Sequence, residues 1–359
     1  MPSEKDVIQS LKRVVDPELG RDIVSLGMIK DVKVEGGRVS FTLELTTPAC
    51  PFNAQIEREA RQAVASIPGV SDVDMKVTAR VWSARPISPE DLFTNIKNVV
   101  AIASGKGGVG KSTVAVNLAL ALAGTGAKVG LLDADIYGPT IPKIIKITNL
   151  PDRSPTGKVI PATTFLNVKV MSLGLFVQDD SPVIWRGPLV AGAVKQLLTD
   201  AEWGELDYLI VDLPPGTGDA PLTLAQTIPL TGVVIVTTPQ EAAVAIASKA
   251  LRMFSKLGIP IIGVVENMSY FECPHCHKRT GIFGSGGAKA VAKSMNVPFL
   301  GELPLNPEIR EHHDLGTPIV IAKPDSSSAD AFRALCRQVA GQISIIAHAK
   351  MGSESKSPD

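Results

Sequence analysis

A glycine-rich segment at residues 105–112 constrains the fold of this chain more than any other feature of its 359 residues. The segment reads GKGGVGKS, follows the apolar run VVAIAS and precedes an apolar stretch with helical spacing. Glycines at such a turn let backbone N–H groups point toward phosphate oxygens, and the helix N-terminus adds partial positive charge. The segment therefore predicts a phosphate-binding loop between a β-strand and an α-helix.

This loop supplies most of the predicted nucleotide-binding residues. Lys111 is expected to contact the β- and γ-phosphates of ATP, and the Ser112 hydroxyl is expected to ligate Mg²⁺. Phosphate binding within one chain does not require Lys106, so this lysine is either a solvated loop residue or reaches the nucleotide of a facing subunit, as an arginine finger does. The full predicted set is Gly105, Lys106, Gly107, Gly108, Val109, Gly110, Lys111, Ser112 and Thr113.

Three aspartates end other apolar runs that are predicted to be parallel strands. Asp133 and Asp135 end the segment LLDAD, and Asp212 ends YLIVD. Because the carboxyl ends of parallel strands face the ligand crevice, we expect these carboxylates near the phosphates. Asp212 is the predicted Mg²⁺ ligand, Asp133 is expected to support the metal, and Asp135 is expected to orient the attacking water. Each has the alternative of capping a helix N-terminus.

Two further segments are predicted to border the nucleotide. Gly216-Thr217-Gly218-Asp219 resembles a mobile loop that senses the γ-phosphate. Asn267 closes the region of the apolar run 261–265, and it is expected either to bind the edge of the adenine or to hydrogen-bond the loop backbone. With these segments, the expected catalytic residues are Lys106, Lys111, Asp135 and Asp212.

The chain is expected to contain two α/β domains. Residues 1–82 combine a capped amphipathic helix, a glycine-linked hairpin, a second helix and a third alternating strand. Residues 83–95 carry prolines and polar residues, and we interpret them as a linker. Residues 96–349 alternate apolar strands with helices, which predicts a mostly parallel, doubly wound sheet. Residues 350–359 are predicted to be a disordered tail.

Composition limits the classes of protein to which this chain can belong. Lys plus Arg and Asp plus Glu both number 36, so net charge gives no attraction to nucleic acid or to an anionic membrane. The N-terminal segment has no long apolar run, and its acidic residues argue against a transit peptide. We therefore expect a cytoplasmic protein with neither nucleic acid nor a membrane as partner.

Cys273 and Cys276, in the segment CPHCH, are the predicted metal-binding thiols. From the residues alone, the pair can hold half of an iron–sulfur cluster or half of a zinc site completed by His275 or His277. Haem attachment also uses this pattern, but it requires export, and no signal peptide is predicted. A two-fold dimer would bring two pairs together and supply four thiolates to a bridging [4Fe–4S] cluster.

We expect the other two cysteines, Cys50 and Cys336, to have different environments from this pair. Cys50 precedes a predicted helix, a position that lowers a thiol pKa and favours metal contact, whereas the alternative is a small buried side chain. Cys336 lies on the apolar face of the last predicted helix, so we expect it in the core. Asp16 and Glu18 are expected to be a helix cap and a surface charge.

Long segments of the chain resemble known protein families. The loop GKGGVGKST resembles that of the ParA, MinD and nitrogenase-iron-protein group. Residues 95–347 resemble the Mrp/ApbC iron–sulfur cluster carriers, in strings such as DADIYGPTIP, WGELDYLIVDLPPGTGD, TTPQEAAVA and ENMSYFECPHC. Residues 7–81, with DPELGRDIVSLGMI and LTTPACP, resemble the MIP18-type domain. One departure is Ile246, where many relatives carry an acidic residue, and the resemblance does not extend to any dimer contact that the acidic residue makes.

The resemblance implies a P-loop NTPase fold with a small N-terminal MIP18-like domain. It implies a homodimer that binds ATP and Mg²⁺, hydrolyses ATP, and holds a [4Fe–4S] cluster on Cys273 and Cys276 of both subunits. The cluster would pass to apo iron–sulfur proteins, with cluster-assembly factors as further partners.

Other function classes share the loop. A MinD- or ParA-like positioning ATPase would need a basic surface, and membrane anchoring would need a basic amphipathic C-terminal helix. The last helix of this chain carries only Arg333, Arg337 and a late Lys350. A reductase like the nitrogenase iron protein, and a zinc-stabilised ATPase, are the remaining alternatives.

Overall fold

The structure is a computed structural model that describes residues 2–85, 95–136, 138–147, 150–176 and 187–354, without the side chains of 187–191 and 352–354. Residues 86–94, most of the predicted linker, lie outside this description. Backbone contacts divide the chain into two compact units, Met1–Ala84 with Ala340–Asp359, and Arg85–Val339. Residues 340–349, which were assigned to the nucleotide-binding domain, therefore group with the N-terminal residues.

The unit that contains the N-terminus is built on a three-stranded sheet. Its strands β3 and β4 form the predicted hairpin, and β5 lies parallel to β4. Alternate residues of β4 are buried under helices α1 and α2, which explains the alternation in sequence. The elements are α1 (Glu4–Leu11), β1 (Val15–Asp16), β2 (Arg21–Asp22), β3 (Ile29–Glu35), β4 (Arg38–Leu45), α2 (Asn53–Ala65) and β5 (Asp72–Ala79).

The last helix, α11 (Ser327–Glu354), differs from the prediction. It continues through residues 350–354, the first half of the segment that is predicted to be a disordered tail. Ala340, Ile343 and Ala347 recur at helical spacing and are buried, and burial of one face stabilises the final turns. Residues 355–359 lie outside the described part of the chain.

A nine-stranded sheet lies at the centre of the second unit. Its order is β8-β9-β7-β10-β6-β11-β12, and both β13 and β14 pair with β12. All pairings are parallel except those of β8 with β9 and β13 with β12, which confirms the mostly parallel sheet. The strands are β6 (Ile96–Ser104), β7 (Val129–Asp133), β8 (Ala162–Thr163), β9 (Lys169–Ser172), β10 (Leu206–Asp212), β11 (Gly232–Thr237), β12 (Ile261–Glu272), β13 (Arg279–Thr280) and β14 (Phe299–Pro304).

Helices cover this sheet. Helix α3 is buried on almost every face, which accounts for its lack of a polar stripe. No helix in the described part of the chain is long and apolar enough to cross a membrane. The helices are α3 (Lys111–Ala123), α4 (Ile141–Ile144), α5 (Gly187–Thr199), α6 (Asp219–Thr227), α7 (Glu241–Lys256), α8 (Gly287–Ser294), α9 (Pro307–Asp314) and α10 (Ile319–Ala322).

The register of the central strands positions the acidic residues. Asp212, the last residue of β10, pairs with Asp133 of β7 on one side and with Ile102 of β6 on the other. The glycine-rich loop follows the carboxyl end of β6. The loop and both carboxylates therefore meet at one edge of the sheet, where open α/β sheets bind ligands.

Candidate nucleotide and thiol sites

A cavity of about 720 Å³ lies at this edge of the sheet. Its walls include the loop residues Gly107, Gly108, Gly110, Lys111, Ser112 and Thr113, and the opposite wall comes from β12, β14 and α9. Gly108 and Gly110 have φ values of 80° and 81°, a left-handed conformation that side chains disfavour. Glycine at these two positions therefore allows the left-handed backbone of the loop. The cavity has the size typical of a small-molecule site.

Lys111 is held at the base of the cavity by two aspartates. Its Nζ lies 2.7 Å from Asp212 Oδ1 and 3.6 Å from Asp135 Oδ2. The Ser112 hydroxyl donates to Asp212 Oδ2 at 2.5 Å. The structure therefore brings together the predicted phosphate-binding lysine, the predicted metal-binding hydroxyl and two of the three predicted carboxylates.

Negative charge is in excess around this lysine. Burial raises the pKa of Asp212, whose side chain is fully inaccessible, and the Lys111 charge opposes that shift. Burial, together with the Asp212 charge, raises the pKa of Asp133 to about 7. Burial also raises the pKa of Asp135. One ammonium group lies near three carboxyl groups, two of them buried and one half-buried, and a divalent cation would add the positive charge that this arrangement lacks.

The oxygen atoms on these residues suit Mg²⁺ in particular. Magnesium prefers carboxylate and hydroxyl oxygens and is usually held by one or two carboxylates together with phosphate oxygens. Ser112 Oγ and Asp212 Oδ2 are adjacent hard donors, and Ser112 lines the cavity. The residues present therefore fit the metal that the sequence predicted.

Asp133 has a different set of contacts from the one expected of a metal support. Its Oδ1 accepts the N–H of Asp135 at 3.1 Å, and its Oδ2 accepts the N–H of Ile141 at 3.2 Å and the Ser172 hydroxyl at 3.1 Å. Ile141 is the first residue of α4. These contacts fix the turn after β7 and the first residue of α4, and the role of Asp133 as a support for the metal stays a prediction.

Lys106 lies at the rim of the loop, half-buried, and its carbonyl accepts the Ser104 hydroxyl at 3.0 Å. The neighbouring Gly105 is packed against α7, because a Cβ there would lie 2.7 Å from the carbonyl carbon of Ile246. Ile246 therefore contacts the start of the loop in its own chain. The sensor-like segment adjoins this region, since the Gly216 N–H donates to the Ser104 carbonyl at 2.8 Å.

Asn267 fulfils one of its two expected roles. Its Nδ2 donates to the Val109 carbonyl at 2.8 Å, so it bonds the loop backbone, and it also lines the cavity. Gly110 has to be glycine beside it, because a Cβ at that position would collide with Asn267 Nδ2. Strand β12 is thereby tied directly to the phosphate-binding loop.

Sequence reasoning missed two polar residues near the cavity. Glu266 is fully buried and accepts the Ser269 hydroxyl and the N–H groups of Gly286 and Ala288, so it caps helix α8. His313 lines the cavity and contacts Thr113 and Asn117. A polar residue directly after an apolar strand was a signal for Glu266, but His313 carries no local motif.

The predicted thiol pair occupies a tight turn between β12 and β13. The Cys273 N–H donates to the Lys278 carbonyl at 3.1 Å, and the His277 N–H donates to the Cys273 carbonyl at 2.9 Å. Backbone N–H groups of His275 and Cys276, and then the Cys276 thiol, lower the pKa of Cys273. Cys273 is half-buried and Cys276 is exposed, so the turn presents an activated thiol at the surface.

His275 and His277 lie in the same segment as the two thiols. Within the described ranges, no group of three or more His, Cys, Asp or Glu side chains is arranged to hold a metal ion. His277 instead lies 3.5 Å from Glu272 through its Nδ1. Each chain therefore presents two clustered thiols here.

Cys50 and Cys336 are both buried. The Cys50 thiol donates to Glu18 Oε2 at 3.1 Å, and burial, followed by the Glu18 charge, raises its pKa. The expectation of a lowered thiol pKa at Cys50 is therefore wrong, because burial outweighs the helix N-terminus. Asp16 is buried and accepts the Glu18 and Leu19 N–H groups, whereas Glu18 is half-buried rather than a free surface charge.

Comparison with known families agrees with this geometry. A ParA-group family model, described as NUBPL iron-transfer P-loop NTPase, matches residues 95–340. The chain belongs to this P-loop NTPase family. A second model, described as iron-sulfur cluster assembly protein, matches residues 4–77, which confirms the expected resemblance at the N-terminus.

Relatives of this NTPase extend over almost the whole chain. The iron–sulfur cluster carrier protein of Synechocystis is 49% identical over 345 residues, which cover 95% of this chain and 98% of the relative. The iron–sulfur cluster carrier protein of Escherichia coli K12 is 43% identical over 303 residues, which cover 84% of this chain and 82% of the relative.

Solved structures resemble the NTPase unit. A nucleotide-binding protein from Archaeoglobus fulgidus in complex with ADP is 39% identical, with a TM-score of 0.59, and the match covers 69% of this chain and 98% of that one. The cell division ATPase MinD of Pyrococcus furiosus is 25% identical, with a TM-score of 0.52, and the match covers 67% and 98%. The predicted P-loop NTPase fold is confirmed.

Proposed function

We propose that this chain is an ATP-hydrolysing iron–sulfur cluster carrier. Two copies hold one [4Fe–4S] cluster between their Cys273 and Cys276 thiolates and pass it to apo-proteins, with cluster-assembly factors as donors. The names of the relatives support the cargo, and the ADP-bound neighbour supports a nucleotide in the cavity.

One observation carries this proposal: a single strand joins the nucleotide cavity to the thiol turn. Strand β12 carries Asn267 and Met268 at the cavity, and Cys273 directly follows its last residue. Six extended residues reach at most about 20 Å, and the left-handed φ of 56° at Met268 shortens that reach. Because Asn267 is hydrogen-bonded to the loop carbonyl of Val109, a change in the loop on nucleotide binding acts on the strand that positions the thiols.

Different residues in and beside the cavity have different roles toward the nucleotide. Lys111 neutralises charge on the β- and γ-phosphates, and its present partner Asp212 keeps the ammonium group aimed into the cavity. Ser112 and Asp212 hold Mg²⁺, which supplies the positive charge that stabilises the transferring phosphoryl group. Asp135 lines the cavity near Lys111 and accepts a hydrogen bond from the attacking water.

Lys106 completes the reaction from the facing copy. Its position at the rim, rather than among the residues that line the cavity, suits a contact across a dimer. Arginine fingers that act across such an interface raise hydrolysis by about 10³–10⁵-fold. Hydrolysis would thus depend on the same association that completes the cluster site.

The cluster is cargo, and its requirement for ligands explains the dimer. A [4Fe–4S] cluster takes four thiolates, and the exposed turn of each chain presents two. Two-fold symmetry supplies the other two without further residues. The lowered pKa of Cys273 favours the thiolate form that binds iron.

A transfer assay tests the proposed function. Protein loaded anaerobically with iron and sulfide is mixed with an apo enzyme that requires a [4Fe–4S] cluster, and the restored activity is measured. Wild-type protein should restore activity, whereas Cys273→Ser should not, although it binds ADP normally. Cys336→Ser, which alters a buried thiol far from the turn in sequence, is the matched control and should transfer. Equal transfer by Cys273→Ser would contradict the proposal.

A further inference from the structure

A chain of hydrogen bonds links the end of helix α9 to the second hydroxyl of the phosphate-binding loop. His313, on α9, contacts Thr113 through Nδ1 at 3.5 Å and Asn117 through Nε2 at 3.2 Å. Asn117 is fully buried, His313 is 9% exposed, and both His313 and Thr113 line the cavity. Thr113 is the only residue of the loop motif that takes part in this chain of hydrogen bonds. The hydrogen bonds therefore do not serve to build the loop itself.

The orientation of the Asn117 amide follows from two backbone groups. Its Nδ2 lies 2.9 Å from the Thr113 carbonyl, which only accepts hydrogen bonds. Its Oδ1 lies 3.5 Å from the Val320 N–H, which only donates. The opposite orientation would place donor against donor and acceptor against acceptor, so the amide nitrogen must face His313.

The amide orientation in turn fixes the proton on His313. Because Asn117 Nδ2 is a donor, His313 Nε2 must accept and carries no proton. Burial lowers the pKa of His313 to about 4, so the ring is neutral at physiological pH and its one proton lies on Nδ1. The Nδ1–H group faces Thr113 Oγ1 as a donor.

From this geometry we infer that His313 is a positioning residue, which holds the Thr113 hydroxyl with its own hydrogen directed at a phosphate oxygen of the bound nucleotide. When Thr113 Oγ1 accepts from His313, its hydrogen must point away from the ring, which leaves the hydroxyl of this cavity-lining residue as a donor for a ligand. Without His313, that hydroxyl is free to donate to a carbonyl one turn earlier in α3, as threonines in helices often do. The inference rests on the proposed occupation of the cavity by a nucleotide.

Two substitutions of His313 distinguish the role of Nδ1 from that of Nε2. The side-chain amide of His313→Asn places a donor near the former Nδ1 and can still donate to Thr113. The longer His313→Gln places its amide near the former Nε2 and leaves Thr113 without a donor. Asn117 retains the Thr113 carbonyl as a partner in both variants, but its second N–H loses the Nε2 acceptor in His313→Asn. The amide oxygen of His313→Gln can replace that acceptor.

Calorimetric titration with ADP, in wild-type and Thr113→Val backgrounds, tests the inference. His313→Gln should weaken ADP binding about tenfold, the scale of one hydrogen bond to a charged group, whereas His313→Asn should bind within about twofold of wild type. In the Thr113→Val background, His313→Gln should cause no further loss, because the residue acts through that hydroxyl. An equal loss in both backgrounds, or no loss in either, would overturn the inference.

The tautomer of His313 provides a test that requires no nucleotide. Nitrogen NMR of the nucleotide-free protein, with the signal assigned by its absence from His313→Gln, should report a proton on Nδ1 and none on Nε2. A proton on Nε2 would overturn the inference even if ADP binds well. If the tautomer is as expected but wild-type protein binds no ADP, the proposed nucleotide site fails and the inference fails with it.

Discussion

The ammonium group of Lys111 lies 2.7 Å from the carboxylate of Asp212, and both side chains are buried beneath the phosphate-binding loop. Removal of one partner from a buried pair leaves an uncompensated charge, which is strongly destabilising. The lysine therefore supports the fold of the nucleotide-free protein as well as the binding of phosphate. A loop position alone would suggest a substitution with little effect on stability.

Lys111→Met should abolish hydrolysis and lower the free energy of unfolding by about 3 kcal/mol, since Asp212 loses its counter-charge. Phosphate release and urea denaturation measure the two effects. The control is Lys111→Met combined with Asp212→Asn, which should regain stability but not hydrolysis. Because burial raises the pKa of Asp212 in the folded state, the stability deficit of Lys111→Met should shrink as pH falls through that pKa. A single variant as stable as wild type would contradict this account.

Lys106→Ala should reduce hydrolysis by at least about tenfold while ADP binding stays within about twofold, because the lysine acts on the nucleotide of the facing copy. Steady-state phosphate release and calorimetric titration with ADP give the two values. Lys158→Ala, an exposed lysine outside the loop, controls for the loss of one positive charge. Equal losses of binding and hydrolysis would place Lys106 in the cavity of its own chain.

Cys273 should react with iodoacetamide faster than the two buried thiols, Cys50 and Cys336. Cys273 should react first, because hydrogen bonds from backbone N–H groups lower its pKa, whereas burial raises the pKa of Cys336 to about 12 and also raises that of Cys50. Mass spectrometry of peptides from a time course in metal-free buffer provides the measurement. The fast phase should vanish in Cys273→Ser. Labelling of Cys50 as fast as Cys273 would show that the Cys50 thiol is accessible to solvent, which would contradict this account.

The Glu18 carboxylate occupies the space that a side chain on Gly341 would need. A Cβ on Gly341 would collide with the Glu18 carboxylate, which is half-buried and accepts the Cys50 thiol. Gly341→Ala should therefore lack the gain of up to about 1 kcal/mol that helix propensity alone would give, because the Glu18 carboxylate has to move. Thermal denaturation is the measurement.

A matched control for Gly341→Ala exists in helix α5. Gly192 is also helical, but open space surrounds the position of its missing Cβ. Gly192→Ala should leave stability unchanged or raise it by up to about 1 kcal/mol, as expected from helix propensity. The double variant Gly341→Ala/Glu18→Ala should recover part of that gain. A gain in stability from Gly341→Ala would show that the contact with Glu18 is not constraining.

The sequence predicts those parts of the site that depend on local pattern. The loop residues form one continuous motif, and Asp133 and Asp212 end apolar strands whose parallel pairing places them side by side. The contact of Asn117 with His313 joins residues 196 positions apart, and no local pattern reports it. The continuation of helix α11 beyond residue 349 has a similar cause, since burial of Ala347 depends on tertiary packing that helix propensity alone does not reveal.

The central claim is that two chains share one cluster on Cys273 and Cys276, and its most direct test is iron content with the mass of the assembly. Protein is reconstituted anaerobically, separated from free iron, and measured by iron and sulfide analysis and by light scattering. The account predicts a dimer with about two iron atoms per chain, and a monomer without iron for Cys273→Ser. About four iron atoms per chain on a monomer, or one zinc ion per chain in place of iron, would contradict it.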